Sequence, residues 1–201
     1  DENATLRGLV QQLTARPFGE SARRLQDSAA SWAAEHGKEL TVEVGSPEVL
    51  VPGDLAQNLS SALTHLVRNA IVHGIEAPET RTSRGKATLG HVQLDCQPCS
   101  GGVRIQVRDD GAGLDLEGLQ TRARERGLAW RAGTEAELIF EDGISTAQQQ
   151  DALAGRGVGM AAARSELRAV GYDLRVVTDT QVGSCFEILP LVEGDSGRHV
   201  A

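Results

Sequence analysis

The sequence predicts an α/β domain. Segments whose apolar residues recur at helical spacing alternate with segments in which every second residue is apolar. Two of the strand segments, near 92–96 and 103–107, are separated by a Pro- and Gly-rich turn, which indicates an antiparallel hairpin. The longest amphipathic helix is predicted from about 54 to 74, with Gly74 as its end.

The other elements are predicted in chain order. Residues 4–34 have helical spacing in two pieces, interrupted near Pro17 and Gly19. A strand is predicted at 40–44 and a short edge strand at 49–51, and Asp54 is expected to cap the long helix. Residues 76–90 are a polar connection. The remaining predicted elements are a helix at 116–126, one or two turns at 135–140, a loop at 142–155, a helix opened by the glycines at 155–159 that ends near 170, and strands at 173–178 and 185–189.

The composition indicates a soluble globular domain with an aliphatic core. Of the 201 residues, 40% are hydrophobic but only 3% are aromatic. The net charge of −8, without a cluster of Lys and Arg, argues against a nucleic-acid or anionic-membrane surface. No apolar run is long enough to span a membrane, and three cysteines fit a reducing, cytoplasmic setting, so we expect a cytoplasmic location without membrane insertion.

One face of the long helix carries an unusual row of polar side chains. His65, Asn69 and His73 are spaced by four residues and therefore stack in one line. Amides and imidazoles are ligands and hydrogen-bonding groups, whereas a solvated face usually carries Lys and Glu. Taken alone, the row is equally consistent with a polar stripe on a half-buried helix.

Two glycine clusters are the other candidate binding motifs. Asp109-x-Gly111-x-Gly113 follows a strand, where a backbone without Cβ atoms can approach a flat ligand and the carboxylate can accept from an exocyclic amine. The cluster Gly155-x-Gly157-x-Gly159 precedes a helix and exposes N–H groups that suit phosphate oxygens. Each motif alone could be a tight turn. Neither a dinucleotide fingerprint nor a P-loop occurs.

The order of these motifs resembles the GHKL ATP-binding fold, and within it the catalytic domain of CheA-like chemotaxis histidine kinases. The resemblance covers about 40–192 and rests on the following segments: 65–69 with 73–76, Pro78-Glu79, Arg81, 84–86, 109–113, Phe140 with Gly143 and Ser145-Thr146, 155–160, Gly183-Ser184 and 189–191. It implies a two-layer α/β sandwich of the Bergerat type, with a mixed, mostly antiparallel sheet covered by helices. The implied organisation is a helical linker or end of a dimerisation region at 1–37, the ATP-binding domain at 38–192 and a disordered tail at 193–201.

The resemblance also implies ATP and Mg²⁺ as cofactors and assigns roles to single residues. Asn69 would hold Mg²⁺, Asp109 would bind the adenine amino group, and Gly113 would line that pocket. Residues 142–154 would form a lid over the nucleotide, and the glycines at 155–159 would contact phosphates. The further ATP-binding residues implied are Arg68, His73, Gly111, Phe140, Ser145, Thr146, Gly155, Arg156, Gly157, Val158, Gly159, Met160 and Ser184.

His65 would be the catalytic residue and would act on the incoming phosphoacceptor. Gyrase-like and chaperone relatives carry Glu there to activate water, so a His implies transfer to an imidazole. None of the five histidines lies in a His-Glu-x-x-x-Pro motif. The acceptor is therefore expected on a separate histidine-containing phosphotransfer domain, with a CheW-like adaptor and a response regulator as further partners and a homodimer as the full-length form.

The sequence also departs from the family pattern. Val72 and Ala161 stand where Asp is usual, Ile144 replaces an aromatic residue, and Glu141-Asp142 replaces a residue followed by Pro. No predicted Mg²⁺ or adenine ligand is lost. The alternative hypothesis is a nucleotide-binding pseudokinase that signals without phosphotransfer.

Overall fold

A computed structural model of the chain describes residues 13–144, 159–178 and 183–191. Its strands are β1 (Arg16–Pro17), β2 (Leu40–Val44), β3 (Leu50–Val51), β4 (Gly90–Cys99), β5 (Gly102–Asp109), β6 (Tyr172–Thr178) and β7 (Ser184–Pro190). Its α-helices are α1 (Phe18–Glu35), α2 (Gly53–Asn69), α3 (Pro78–Ser83), α4 (Leu116–Glu125) and α5 (Met160–Ala169). A π-helical turn, Ala70–Gly74, continues α2, and a 3₁₀ helix spans Glu135–Phe140.

The main sheet has the strand order β2-β4-β5-β7-β6. Its first pair, β2 and β4, is parallel, and the other three pairs are antiparallel. The predicted mixed, mostly antiparallel sheet is therefore confirmed. The predicted hairpin is confirmed as well, with Val92 opposite Asp109 and Cys99 opposite Gly102.

One face of this sheet is buried beneath helices. Along β4 and β5, buried residues alternate with half-buried or exposed ones, which is the period expected when one face is covered. Helix α1 packs on β2, α2 packs on α1 and α5, and α5 packs on β6. The result is the two-layer α/β sandwich, and its core is largely aliphatic.

Helix α1 shares the core of the sheet domain. Its buried residues Phe18, Ala22, Leu25 and Ala29 belong to the same hydrophobic cluster as α2 and the strands. The division of the chain at residue 37 stays a prediction, and this packing favours grouping α1 with the ATP-binding domain. Residues 1–12 and the predicted tail at 193–201 lie outside the described residues.

The predicted interruption of the helical region near Pro17 is confirmed, because Arg16–Pro17 is extended and pairs with β3 in a separate two-stranded sheet before α1 begins at Phe18. Two other local predictions were wrong. Pro52, not Asp54, precedes the first residue of α2, and Asp54 lies in its first turn. The polar connection at 76–90 contains α3, which begins at Pro78, a residue well suited to the first helical position.

None of the helices described here is both long and apolar enough to cross a bilayer.

Candidate functional site

A cavity of about 420 Å³ opens where α2 ends beside β5 and β7. Its lining combines an apolar floor with a few polar groups, as is usual for small-molecule sites. The lining residues are Asn69, Ala70, His73, Gly74, Asp109, Ala112, Gly113, Leu114, Asp115, Leu119, Arg122, Ile139, Ser184 and Phe186.

Asn69, at the end of α2, and His73, in the π-helical turn that follows, both line this cavity. Asn69 is the last residue of α2, and the N–H of Ile75 then donates to the carbonyl of Ala70 at 2.7 Å, five residues back. Lys38 Nζ donates to the carbonyls of Ile71 and Val72, at 2.6 and 2.8 Å, which satisfies acceptors that the widened turn leaves open. Such π turns are frequent at functional sites.

Asp109 is the buried acid of the cavity, with 5% of its surface exposed. Its Oδ1 accepts from the N–H groups of Gly111 at 2.9 Å and Ser184 at 3.3 Å, which fixes the carboxylate plane. Burial raises the pKa of Asp109, and the hydrogen bonds from Gly111 and Ser184 only partly oppose that effect. The site therefore holds a strong, directed hydrogen-bond acceptor at the end of β5.

The loop after Asp109 lies against the end of the π-helical turn. The N–H of Ala112 donates to the carbonyl of Gly74 at 2.8 Å, and a Cβ on Gly111 would collide with that carbonyl. Gly113 has φ +80°, which favours glycine. These two glycines let the loop approach the helix end closely enough to form one wall of the cavity.

Positive charge collects on the helical side of the cavity. Partial burial lowers the pKa of His73, and the nearby charges of Lys38, Arg122 and His36 lower it further, which favours the neutral imidazole. Arg122 Nε is the one buried side-chain polar atom without a hydrogen-bond partner in the described part of the chain. An unpaired guanidinium nitrogen beside a cavity is suited to an anionic ligand.

Five of the predicted ATP-binding residues line the cavity, namely Asn69, His73, Asp109, Gly113 and Ser184. Gly111 is not among the lining residues, but it packs against the backbone of Gly74, which is. Of the others, Ser145, Thr146, Gly155, Arg156, Gly157 and Val158 lie outside the described residues. The roles assigned to all of these residues stay predictions.

The remaining predicted residues lie away from the lining. The guanidinium carbon of Arg68 lies 5.0 Å from the ring centroid of Trp32. The guanidinium carbon of Arg164 lies 4.4 Å from the ring centroid of Phe140. Met160 is buried in the core at the start of α5, and Gly159 caps that helix in an extended conformation. His65 is half-buried, four residues before Asn69 on α2.

Arg122, Leu119 and the apolar floor belong to the cavity but were not predicted from the sequence. Leu119 and Arg122 are three residues apart on α4 and so share one helix face. The sequence signal for Arg122 was its position three residues after an apolar Leu, on the helix that follows Asp109-x-Gly-x-Gly. Ile139 and Phe186 come from distant segments whose convergence no local pattern indicates.

Comparison with known proteins identifies the fold family. The model of the family described as histidine kinase-, DNA gyrase B-, and HSP90-like ATPase matches residues 55–193. The chemotaxis protein CheA of Bacillus subtilis (strain 168) is 37% identical over 165 residues, which are 78% of this chain and 25% of that protein. CheA of Rhizobium meliloti (strain 1021) is 32% identical over 188 residues, 90% of this chain and 25% of that protein.

Among solved structures, full-length ShkA in complex with AMPPNP matches with a TM-score of 0.54 and 24% identity, over 89% of this chain and 31% of that one. That likeness shows the fold. The chain spans about a quarter of the length of the curated relatives above. It belongs to the family of histidine kinase-, DNA gyrase B- and HSP90-like ATPases, as a CheA-like ATP-binding domain.

Proposed function

We propose that this domain binds ATP in the cavity between α2, β5 and α4 and supplies its γ-phosphoryl group to a histidine on a separate domain. The observation that carries the proposal is the convergence of a buried acceptor, Asp109, with Asn69, His73 and Arg122 around one cavity. An acceptor suits the adenine amine, an apolar floor suits the ring, and amide and cationic groups suit a polyphosphate.

Asn69 is proposed to hold Mg²⁺ together with phosphate oxygens. Mg²⁺ in phosphoryl-transfer sites keeps several waters and is held by few protein ligands plus substrate phosphates, and an Asn side chain serves as such a ligand in protein kinases. In the described residues, no group of three or more His, Cys, Asp or Glu side chains is arranged to hold a metal ion. Bound Mg²⁺ would neutralise phosphate charge during transfer.

The other residues have proposed roles around the nucleotide. Arg122 and His73 would contact phosphate oxygens, and Gly111, Gly113 and Ser184 would shape the adenine end. The segment with Ser145, Thr146 and the glycines at 155–159 would cover the phosphates, as the family pattern implies. Phe140, Met160 and Arg68, which pack outside the lining, would act through the segments that they support.

His65 is proposed to polarise the incoming acceptor imidazole or take its proton. It lies about one helical turn before Asn69, so it would face the γ-phosphoryl end of the nucleotide. The acceptor is proposed to be a histidine-containing phosphotransfer domain. A CheW-like adaptor, a response regulator and a homodimeric full-length protein are proposed from the CheA relatives, and a cytoplasmic location stays a prediction.

The test supplies a separate histidine-bearing phosphotransfer domain with γ-labelled ATP, Mg²⁺ and this domain. Transfer of label to the acceptor histidine is expected, and His65→Gln should slow transfer by about a hundredfold while leaving ATP affinity within twofold. ATP binding without any transfer would instead support the pseudokinase alternative.

A further inference from the structure

Arg81 is the largest of the fully buried side chains in the described residues, with 1% of its surface exposed. A buried guanidinium is tolerated only when its charge and its N–H groups are paired. Arg81 Nη2 donates to Asp110 Oδ2 at 2.7 Å, Nη1 donates to Glu76 Oε2 at 3.2 Å, and Nε donates to the carbonyl of Ala87 at 2.7 Å. The side chain therefore ties α3 to the residue next to Asp109.

Lys86 holds the backbone of the same loop. Its Nζ donates to the carbonyls of Asp110 at 2.8 Å and Gly111 at 2.7 Å, and to Glu76 Oε1 at 3.0 Å. Burial alone would raise the pKa of Glu76, but the hydrogen bond and charge of Lys86, with a hydrogen bond from Arg84, lower it overall. Glu76 is thus an ionised, buried partner for the two cations behind the loop.

The side chains of Asp109 and Asp110 lie on opposite sides of the loop. Neighbouring residues at the end of a strand point to opposite sides. Asp109 lines the cavity, whereas Asp110 faces Arg81 and also accepts from the N–H of His91 at 2.9 Å. A rotation that released Asp110 would therefore turn Asp109 as well.

We propose that Arg81 and Lys86 are positioning residues that fix the direction of Asp109 and so set the preference for adenine over a 6-keto purine. The inference rests on the proposed function, in which Asp109 accepts from the adenine amine. Hypoxanthine carries a carbonyl oxygen at the position of that amine, so a rigidly held carboxylate repels it. A loosened loop allows the carboxylate to turn away, and the discrimination falls.

The chain offers a matched pair of variants. Lys86→Met and Arg84→Met each remove one cation from Glu76 Oε1, at 3.0 Å in both cases. Of these two side chains, only Lys86 also donates to the loop carbonyls, whereas the Arg84 side chain donates to Glu76 Oε1. The Lys86 side chain is 27% exposed and that of Arg81 only 1%, so replacing Lys86 should destabilise the fold less than replacing Arg81 would.

The experiment measures the affinity for ATP and for inosine triphosphate in each variant and takes their ratio. A loss of folded fraction lowers both apparent affinities equally and leaves the ratio unchanged, so the ratio reports on the site. We expect the wild-type preference for ATP to fall about tenfold in Lys86→Met and to stay within about twofold in Arg84→Met. Arg81→Lys, which keeps the charge but loses the planar fork, should also lower the ratio.

An unchanged ratio in Lys86→Met would overturn this inference and leave the nucleotide site standing. A fall of equal size in Arg84→Met would also overturn it, because loss of charge at Glu76 would then explain the effect. Equal affinity of the wild type for the two nucleotides would overturn the proposed adenine contact of Asp109, and the inference would fail with it.

Discussion

At the scale of single residues, Asp109 carries most of the recognition that we propose. It is buried, it ends β5, and two backbone N–H groups hold its Oδ1. Asp109→Ala should lower ATP affinity by about tenfold to a hundredfold, because the adenine amine would be left without an acceptor in a buried site. Isothermal titration measures the loss. Asp95→Ala, on β4 away from the cavity, is the control, and full-strength ATP binding in Asp109→Ala would refute the pocket assignment.

The raised pKa of Asp109 predicts an acid-side change in binding. The pKa lies above that of an ordinary aspartate because the carboxyl group is buried, so it becomes protonated at a higher pH than usual. Adenosine is the ligand to use, because it has no phosphates whose binding could change when His73 becomes protonated. Its affinity should fall as the pH drops through the pKa of Asp109. The Asp109→Asn variant should show no such step. A wild-type adenosine affinity that is flat down to the pKa of a free aspartate would contradict this prediction.

Arg122 predicts an effect confined to the phosphates. Its Nε is buried and has no hydrogen-bond partner among the residues that the structure describes, and its side chain lines the cavity. Arg122→Met should weaken ATP by about tenfold or more, the usual scale for a hydrogen bond to a charged group, and adenosine much less. Arg124→Met is the matched control on the same helix, since its guanidinium lies over Trp130. Equal losses for ATP and adenosine would argue against a phosphate contact.

At the level of single residues, type and spacing gave candidates that the family resemblance then selected. Asn69 and His73 of the polar row line the cavity, His65 of the same row does not, and the roles of all three stay predictions. Arg81 was noted only as part of the family pattern. A single Arg in a polar connection gives no sign of full burial, which depends on Glu76 and Asp110 meeting it in space.

At the scale of elements, Arg164 joins three segments. It lies on α5, pairs with Glu137 of the 3₁₀ helix at 2.8 Å, pairs with Asp173 of β6 at 2.9 Å, and covers the ring of Phe140. Burial works against ionisation of Asp173, but hydrogen bonds and charges from Arg164 and Arg168 hold its pKa far below the usual range. This cluster fixes the 3₁₀ helix, and thereby Ile139, at the floor of the cavity.

Removing the acid of this cluster should destabilise the fold. Asp173→Ala leaves Arg164 buried without its main partner, which costs about 3 kcal/mol of unfolding free energy at pH 7. Arg175→Met, a half-exposed arginine whose ion pair with Asp173 spans 3.4 Å, should cost about 0–1 kcal/mol. Urea denaturation compares the two, and equal losses would contradict a central role for the Arg164–Asp173 pair.

The same pair predicts how stability depends on pH. The folded pKa of Asp173 is depressed, so its contribution is fully present above the unfolded pKa of about 4 and is lost as pH falls through the folded value. In Asp173→Asn, the acid-induced loss of stability should be smaller than in the wild type. Urea midpoints between pH 2 and pH 7 measure it, and parallel curves would refute the prediction.

Helices and strands were predictable where apolar residues repeat over a long segment and Gly or Pro marks its ends. The α2 stripe, the β4–β5 hairpin and the closing strands followed from apolar spacing, and they appear within a few residues of the predicted bounds. The π-helical turn could not be predicted, because two of its carbonyl groups accept hydrogen bonds from Lys38, which is distant in the sequence. Val72, which replaces the usual Asp, contributes one of those carbonyls.

At the scale of the whole molecule, the cavity exists because distant segments converge. Its walls come from the end of α2, the loop after β5, α4, the 3₁₀ helix and β7. The sheet brings β5 and β7 side by side, so Asp109 and Ser184 meet although 75 residues separate them. The sequence pattern gave the order of the motifs, but the closeness of Asn69, Asp109 and Arg122 required the tertiary structure.

We propose that Asp109 and Asn69 bind opposite ends of one ATP molecule. The most direct measurement is a crystal structure of the domain with Mg²⁺ and a non-hydrolysable ATP analogue. We expect the adenine amine within hydrogen-bond distance of the Asp109 carboxylate and the phosphates beside Asn69 and Arg122. Nucleotide bound elsewhere on the domain, or in the cavity with its phosphates toward Asp109, would contradict it.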